Sequence, residues 1–223
     1  MRRSREEAAE TRRQAVETAS RLYRERGVDG VSVADVMSAI GMTVGGFYRH
    51  FESKEALVEE ACGRAFDEAR EAQDAALAAS AADSDALAVL LGRYLSRGHR
   101  DAPATGCPVP ALLSTVARQP APVRRMFTDA VRRRLARIEA LAPAAEPEAQ
   151  LAAVASMFGA LALARAVDDE ALSTRLLHDT RRYWLGALGK RRSPRGARER
   201  GPASAGRRDR IAASKPPVPR ERS

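Results

Sequence analysis

The stretch from residue 32 to residue 50 predicts two short helices joined by only three residues. Ser32 and Asp35 have the spacing of a capping box, which begins a helix, and Gly41 ends that helix. After the link 41–43, a second helix is predicted from about Val44 to His50. Two helices with so short a connection are typical of the helix-turn-helix motif, whose second helix enters the major groove of DNA.

The second helix of this pair contains adjacent glycines, Gly45 and Gly46. Each interior glycine costs about 1 kcal/mol of helix stability relative to alanine. We interpret them as trading helix stability for close approach of the backbone to DNA. Tyr48, His50 and Lys54 would then contact flanking phosphates. Phe47 and Phe51, four residues apart on one face, are predicted to belong to the core. An alternative for the rest of the segment is that the glycines form a loop and that Tyr48 only packs against the core.

The whole chain is predicted to be all-α. β-branched runs are scarce in its 223 residues, and 44% of the residues are hydrophobic. Apolar spacing and end signals predict a helix over 8–26 that ends at Gly27, and a long helix over 54–81 that Ser53 caps. They also predict a helix near 84–98, a loop at 99–106 and further helices up to residue 189. We expect three parts: a DNA-binding domain at 1–53, a helical effector-binding and dimerisation domain at 54–189, and a basic disordered tail at 190–223.

The positive charge of the chain is concentrated in that tail. The net charge is +9, and residues 190–223 alone hold twelve Lys or Arg against three acidic residues. The tail is interpreted either as a mobile cation that raises non-specific DNA affinity or as an extension without a role. No uninterrupted apolar run is long enough for a membrane span, the N-terminus lacks the apolar core of a secretory signal, and two cysteines fit a reducing cytoplasm.

The segment GMTVGGFYRHFESKEAL, together with the preceding capped helix and the long helix that follows, resembles the TetR family of bacterial transcriptional repressors. The resemblance implies an all-helical C-terminal half that forms a homodimer through a four-helix interface and encloses a ligand pocket. It also implies DNA contacts at nine positions: Ser32, Thr43, Val44, Gly45, Gly46, Tyr48, Arg49, His50 and Lys54. Position 46 is more often Ala, Ser or Thr in this family, so more readout is expected from Val44, Arg49 or DNA shape. Arg49 is left open between a guanine edge and a phosphate.

Two further features of the C-terminal half are singled out. Cys107 precedes a proline-started helix predicted to end near Arg118. It is read either as a small half-buried residue or as a thiol at a helix N-terminus that senses electrophiles or oxidants. The helices near 148–166 and 169–189 have broad apolar faces, and Leu172 is predicted to point inward. These faces predict a two-fold interface containing Phe158, Leu177 and Trp184.

We therefore expect a dimeric, cytoplasmic repressor that a small, largely apolar molecule releases from a double-stranded, pseudo-palindromic DNA operator. The alternatives are a ligand-independent nucleoid- or replication-associated DNA-binding protein and, less favoured, a helical enzyme with a DNA-binding head. The sequence lacks the phosphate-loop, dinucleotide and HExxH motifs, and its three histidines do not cluster, so no cofactor or metal is expected.

Overall fold

The computed structural model describes residues 2–78 and 85–189, and within these residues the chain is all-α, with no strand. Two short 3₁₀ turns, Pro103–Thr105 and Val116–Arg118, accompany ten helices. The helices are α1 (Arg2–Arg26), α2 (Val33–Ala39), α3 (Val44–Phe47), α4 (Lys54–Ala78), α5 (Ala86–Tyr94), α6 (Arg97–Asp101), α7 (Pro108–Leu112), α8 (Ala121–Leu141), α9 (Pro147–Ala166) and α10 (Glu170–Leu188). The predicted basic tail at 190–223 lies outside the described residues.

Helix ends in the N-terminal part follow the local signals in the sequence. α1 ends at Gly27, which has φ +75° and donates its N–H to the Tyr23 carbonyl at 3.0 Å. The capping box at the start of α2 is present, with the Asp35 N–H donating to the Ser32 hydroxyl at 3.1 Å and the Asp35 carboxylate accepting from the Ser32 N–H at 2.7 Å. The predicted end of α1 and the predicted start of α2 are therefore confirmed. Both are set by hydrogen bonds among a few neighbouring residues.

The long helix α4 packs against α1 on one side and against α8 on the other. α9 and α10 pack side by side in the C-terminal part, and α8 lies against α9. By length and composition alone, α9 is the only helix in the described ranges that could cross a membrane, a property it shares with buried core helices; 44% of that stretch is buried inside the protomer. The helices thus form one continuous core from Ala15 to Leu188.

Three element predictions differ from the structure. The segment 99–106, predicted as a loop, lies partly in α6, which begins because the Ser96 hydroxyl accepts the His99 N–H at 3.1 Å. The helix predicted to run to Arg118 ends at Leu112 and is followed by a 3₁₀ turn. α3 ends at Phe47, and the next residues continue as tight turns with i to i+3 hydrogen bonds, such as His50 N–H to the Phe47 carbonyl at 2.9 Å.

The predicted dimer-interface residues need a correction. Phe158, Leu177 and Trp184 are buried within the single protomer, where they form part of its core. Their side chains are therefore not available to a second subunit. Leu172, which the sequence pattern placed inward, is exposed instead. Helical periodicity identified the apolar faces of α9 and α10 but assigned the wrong residues to the outer side.

Candidate nucleic-acid interface and core cavity

α2 and α3 are held in a fixed relation by the turn between them and by the aromatic core behind α3. Gly41 adopts φ +73°, and the Met42 N–H donates to the Met37 carbonyl at 2.8 Å, which closes the turn. Phe47 is fully buried and stacks on Phe51 with ring centroids 5.2 Å apart. Both phenylalanines are core residues, as the sequence predicted. They orient α3 so that its opposite face points outward.

The outward face of α3 is formed by residues that are exposed although two of them are apolar or aromatic. Val44 is 45% exposed and Tyr48 is 69% exposed, and Arg49 and Thr43 are also exposed. The Tyr48 ring packs edge-on against Phe47 at 5.2 Å, so the hydroxyl end extends into solvent. A face of this kind can meet a groove with apolar, hydroxyl and guanidinium groups at once.

The two glycines of α3 have different surroundings. A Cβ built on Gly45 would meet only the Thr43 hydroxyl oxygen at 3.9 Å, whereas one on Gly46 would contact the Met42 and Met37 methyl groups at 3.6 and 3.8 Å. Gly46 is half-buried and faces the protein as much as the solvent. The interpretation that missing side chains allow close approach to DNA therefore fits Gly45 better than Gly46.

The other predicted DNA-contact residues lie around this face and differ in exposure and in their hydrogen bonds to the rest of the protein. Ser32 is exposed, and its hydroxyl is engaged with Asp35. Lys54 begins α4 and donates its ammonium to the Val28 carbonyl at 3.4 Å, so it is tethered to the loop before α2. His50 is half-buried. Within the described chain, the Thr43 hydroxyl makes no capping hydrogen bond to α3, although Thr43 occupies the cap position.

A cavity of about 260 Å³ lies between α4, α5 and α8. Four of its polar lining residues are Tyr94, His99, Cys107 and Arg134. A neighbouring cavity of about 310 Å³ shares Cys107 and Arg134 with it. Cavities of this size accept small molecules in other proteins.

His99 uses both ring nitrogens to hold the cavity wall together. Its Nδ1 donates to the Tyr94 carbonyl at 2.8 Å, and its Nε2 accepts the Cys107 N–H at 3.0 Å. Burial, together with the Arg165 and Arg134 charges, lowers the pKa of His99 below its ordinary value. The imidazole is thus neutral with its proton on Nδ1, and its two hydrogen bonds connect α5 to the start of α7.

Arg134 is a buried cation that the sequence analysis missed. It is only 4% exposed, and its guanidinium carbon lies 4.7 Å from the centroid of the Tyr94 ring. A signal existed, because Arg134 follows Val131 by three residues and precedes Ile138 by four, on the apolar face of α8. The burial of Arg134 was missed because arginine side chains are usually exposed to solvent.

The two cysteines are both free and buried. Burial raises the pKa of the Cys62 thiol to about 12, in agreement with a packing role for that residue. Cys107 lies at the cap position of α7, which is five residues long rather than reaching Arg118. The field of so short a helix is weaker than the one assumed for a sensor thiol.

A second buried arginine, Arg24 of α1, joins three elements. It is 3% exposed, donates to the Ser20 and Gly106 carbonyls at 3.1 and 3.4 Å, and pairs with Glu68 of α4. Gly106 precedes Cys107 in the wall of the cavity. The wall of the cavity is therefore bonded directly to the first helix of the chain.

Comparison with known proteins identifies a family match in the N-terminal part of the chain. A model of the bacterial regulatory proteins of the TetR family matches residues 15–61. The HTH-type transcriptional regulator TtgR of Pseudomonas putida is 44% identical over 59 residues, which is 26% of this chain and 28% of TtgR, so the match spans less than a third of that relative.

Solved structures match over a much larger share of the chain. A TetR transcriptional regulator from Chloroflexus aurantiacus is 26% identical, with a TM-score of 0.67 over 80% of this chain and 96% of its own. AibR, solved in complex with isovaleryl coenzyme A and operator DNA, has the same fold, with a TM-score of 0.59, 17% identity and coverage of 80% and 98%. The sequence match to the TetR family covers the helix-turn-helix at residues 15–61, and the fold match to a regulator of that family extends over the helical body.

Proposed function

We propose that this protein is a transcriptional regulator that binds double-stranded operator DNA through α3 and represses transcription until a small molecule releases it. The observation that carries the proposal is the outward face of α3. There Val44, Tyr48 and Arg49 are exposed beside a glycine backbone that has open space in front of it. Thr43 and Lys54 flank this face and supply donors for phosphates.

The protein is proposed to act as a homodimer in the cytoplasm, with one α3 in each half-site of a pseudo-palindrome. The outer sides of α9 and α10 support this assembly, because large apolar side chains are exposed there. They are Leu151 and Leu163 on α9 and Leu172 and Tyr183 on α10. Gly159 lies between the two exposed leucines of α9 with open space around its Cα, which permits close approach of a partner helix. A second copy of these two helices would complete a four-helix interface.

The cavity supports control by an effector. It opens between α4 and α8, and α4 also packs against α1. The Arg24 bond to the Gly106 carbonyl connects the cavity wall to α1 by a second route. A ligand that favours a different position of this wall would change the energy of the DNA-binding arrangement, which is the requirement for allosteric release.

Two other functions are supported less well. A DNA-binding protein without an effector would be expected to have a filled core rather than a cavity of about 260 Å³. An enzyme would need a free general base in that cavity. His99 is poorly suited, because both of its ring nitrogens are engaged with backbone groups.

Footprinting tests the proposal most directly. The purified full-length protein should protect a site with two-fold symmetry in the DNA around its own gene. The same assay should show weaker protection with a Tyr48→Phe variant at every half-site. Uniform coating of unrelated DNA at physiological salt, without a protected symmetric site, would refute sequence-specific regulation and favour the effector-independent alternative.

A further inference from the structure

The buried arginine on α8 has no counter-charge in the described part of the chain. No carboxylate there lies within 4 Å of the Arg134 guanidinium, and its close contact is the face of the Tyr94 ring at 4.7 Å. A cation–π contact satisfies the face of a guanidinium but leaves its N–H edge without acceptors. Because the guanidinium lines the cavity without a protein carboxylate beside it, an anion that entered the cavity would supply its counter-charge.

Among the described residues, the lining of the cavity of about 260 Å³ adds positive charge and no negative charge, whereas the lining of the neighbouring cavity, to which Arg134 also belongs, contains Asp74 together with Arg133. The lining of the cavity contains Arg93 and Arg137 in addition to Arg134, and no Asp or Glu among the described residues. Arg165 lies behind the wall, donates to the His99 carbonyl at 2.8 Å, and has a buried Nη1 with no partner among the described residues. The potential inside the cavity is therefore positive, which favours an anion over a neutral or cationic ligand.

Much of the remaining wall is apolar and small, although Gln73 and Thr105 also line the cavity. Ala69 and Ala72 of α4 face Val89 and Leu90 of α5 across the cavity. A dry cavity of 150 Å³ holds one benzene molecule, so about 260 Å³ accommodates roughly ten non-hydrogen atoms. This volume is too small for a nucleotide. The alanine and leucine walls would be left unfilled by an inorganic ion.

The Tyr94 hydroxyl is a further polar group in the wall that Arg134 lines. This hydroxyl is buried next to the Cys107 thiol, which is a weak acceptor, and it donates to no oxygen or nitrogen among the described residues. Burial raises the pKa of Tyr94 well above its ordinary value, so the hydroxyl keeps its proton and remains a donor. The cavity therefore has unsatisfied donors on one side and apolar walls on the other.

We propose that this cavity binds a small organic carboxylate, whose carboxylate group pairs with the Arg134 guanidinium and whose apolar body of roughly ten non-hydrogen atoms lies against Ala69, Ala72 and Leu90. The inference names the class of effector for the proposed regulator and rests on that proposed function. It also refines the sequence-based expectation of a largely apolar ligand by adding one negative charge.

Calorimetric titration of the full-length protein, without DNA, tests this assignment. The probes are benzoate and hexanoate, with benzamide and hexanamide as neutral counterparts of the same shape and inorganic phosphate as an anion without an apolar body. Each carboxylate is expected to bind at least roughly tenfold more tightly than its amide, since a hydrogen bond to a charged group contributes that much. Inorganic phosphate is expected to bind more weakly than either carboxylate.

The matched variants are Arg134→Gln and Arg132→Gln. Arg132 is an exposed residue on the same helix, paired with Asp129, so its replacement removes the same charge from the surface. Arg134→Gln should bring acid and amide within about threefold of each other, whereas Arg132→Gln should keep the preference. Circular dichroism checks the fold, and Arg134→Lys, which retains the charge, should keep part of the preference if the Gln variant does not fold.

Three results would overturn the assignment: equal affinity of the wild type for acid and amide, a preference retained in a folded Arg134→Gln variant, or no binding of either carboxylate at millimolar concentration. DNA binding is measured separately in ligand-free samples. If the ligand-free wild type did not bind operator DNA, this would count against the proposed function and leave the carboxylate result unaffected.

Discussion

The two glycines of α3 offer a matched pair of substitutions that separates helix stability from contact with DNA. Gly45→Ala and Gly46→Ala add the same methyl group to the same short helix. At Gly45 the new Cβ would have open space in front of it, with the Thr43 hydroxyl oxygen at 3.9 Å as its nearest neighbour. At Gly46 it would lie at ordinary contact distance from Met42 and Met37.

The stability effect is expected to be similar for both variants. Replacing a helical glycine by alanine raises the free energy of unfolding by about 0.5–1 kcal/mol. Neither site has positive φ or a steric clash that would offset this gain. For a domain of this size, this corresponds to a rise in melting temperature of about 1–4 °C. Gly46→Ala is expected to gain slightly more, since its methyl also buries apolar surface against two methionines.

The DNA effect is expected to differ. In the proposed complex, the methyl at Gly45 would lie between the backbone and the DNA groove and would displace the helix outward. The loss of one charge-assisted hydrogen bond to DNA would cost about 1.5 kcal/mol of binding free energy, or roughly tenfold in operator affinity. At Gly46 the methyl faces the protein, and affinity should change by less than about threefold. Fluorescence anisotropy with labelled operator, together with thermal unfolding of each variant, measures both quantities. A larger loss of affinity for Gly46→Ala than for Gly45→Ala would refute the close-approach argument.

Three other substitutions test the core and the interface. Arg24→Met should lower the free energy of unfolding by about 2 kcal/mol or more in urea titrations, since it leaves the Gly106 carbonyl and Glu68 without their partner, and an unchanged midpoint would contradict this. Leu163→Arg should yield a folded monomer in analytical ultracentrifugation, whereas Leu113→Arg, at a comparably exposed leucine outside α9 and α10, should remain a dimer; monomers from both or neither would exclude the proposed interface. In a Cys107→Ser background, Cys62 should fail to react with a thiol reagent at pH 8 until the protein is unfolded, because its pKa of about 12 keeps it protonated, and rapid native labelling would show that the site opens.

The features predicted correctly from sequence were those set by neighbouring residues. The capping box at Ser32 and the glycine after α1 depend on residues within one helical turn. The same holds for Ser53, whose hydroxyl accepts the Ala56 N–H at 3.2 Å at the start of α4. The core positions of Phe47 and Phe51 followed from their spacing of four residues in a chain with few aromatics. Local hydrogen bonds and periodicity are sufficient for such predictions.

The features that were missed depend on residues far apart in sequence. α6 begins at the local Ser96 cap, but it is fixed to α10 by Arg100, whose Nη1 donates to Ser173 and Glu170 at 2.7 and 2.9 Å. Nothing near residue 100 signals those partners, so the segment read as a loop. The inward face of α9 was recognised, but Phe158 was assigned to a second subunit because the packing of α5 against it could not be inferred. Burial of arginine is likewise decided by the completed fold.

The contact between the cavity wall and α1 is of the magnitude that effector control requires. A hundredfold loss of operator affinity corresponds to about 2.7 kcal/mol of coupling free energy. A hydrogen bond from a charged group contributes about 1.5–3 kcal/mol, and the 3.4 Å separation between Arg24 Nη1 and the Gly106 oxygen places this bond at the lower end. The proposed dimer would contain two such contacts, so the loss of both would be sufficient for the required total without any change at α3 itself. The ion pair of Arg24 with Glu68 links the same guanidinium to α4, the helix that follows the helix-turn-helix. A ligand that displaced residues 103–107 would thus act on α1, which packs against α2, and on α4, which follows α3 in the chain. It would therefore change the support of the proposed DNA-binding face.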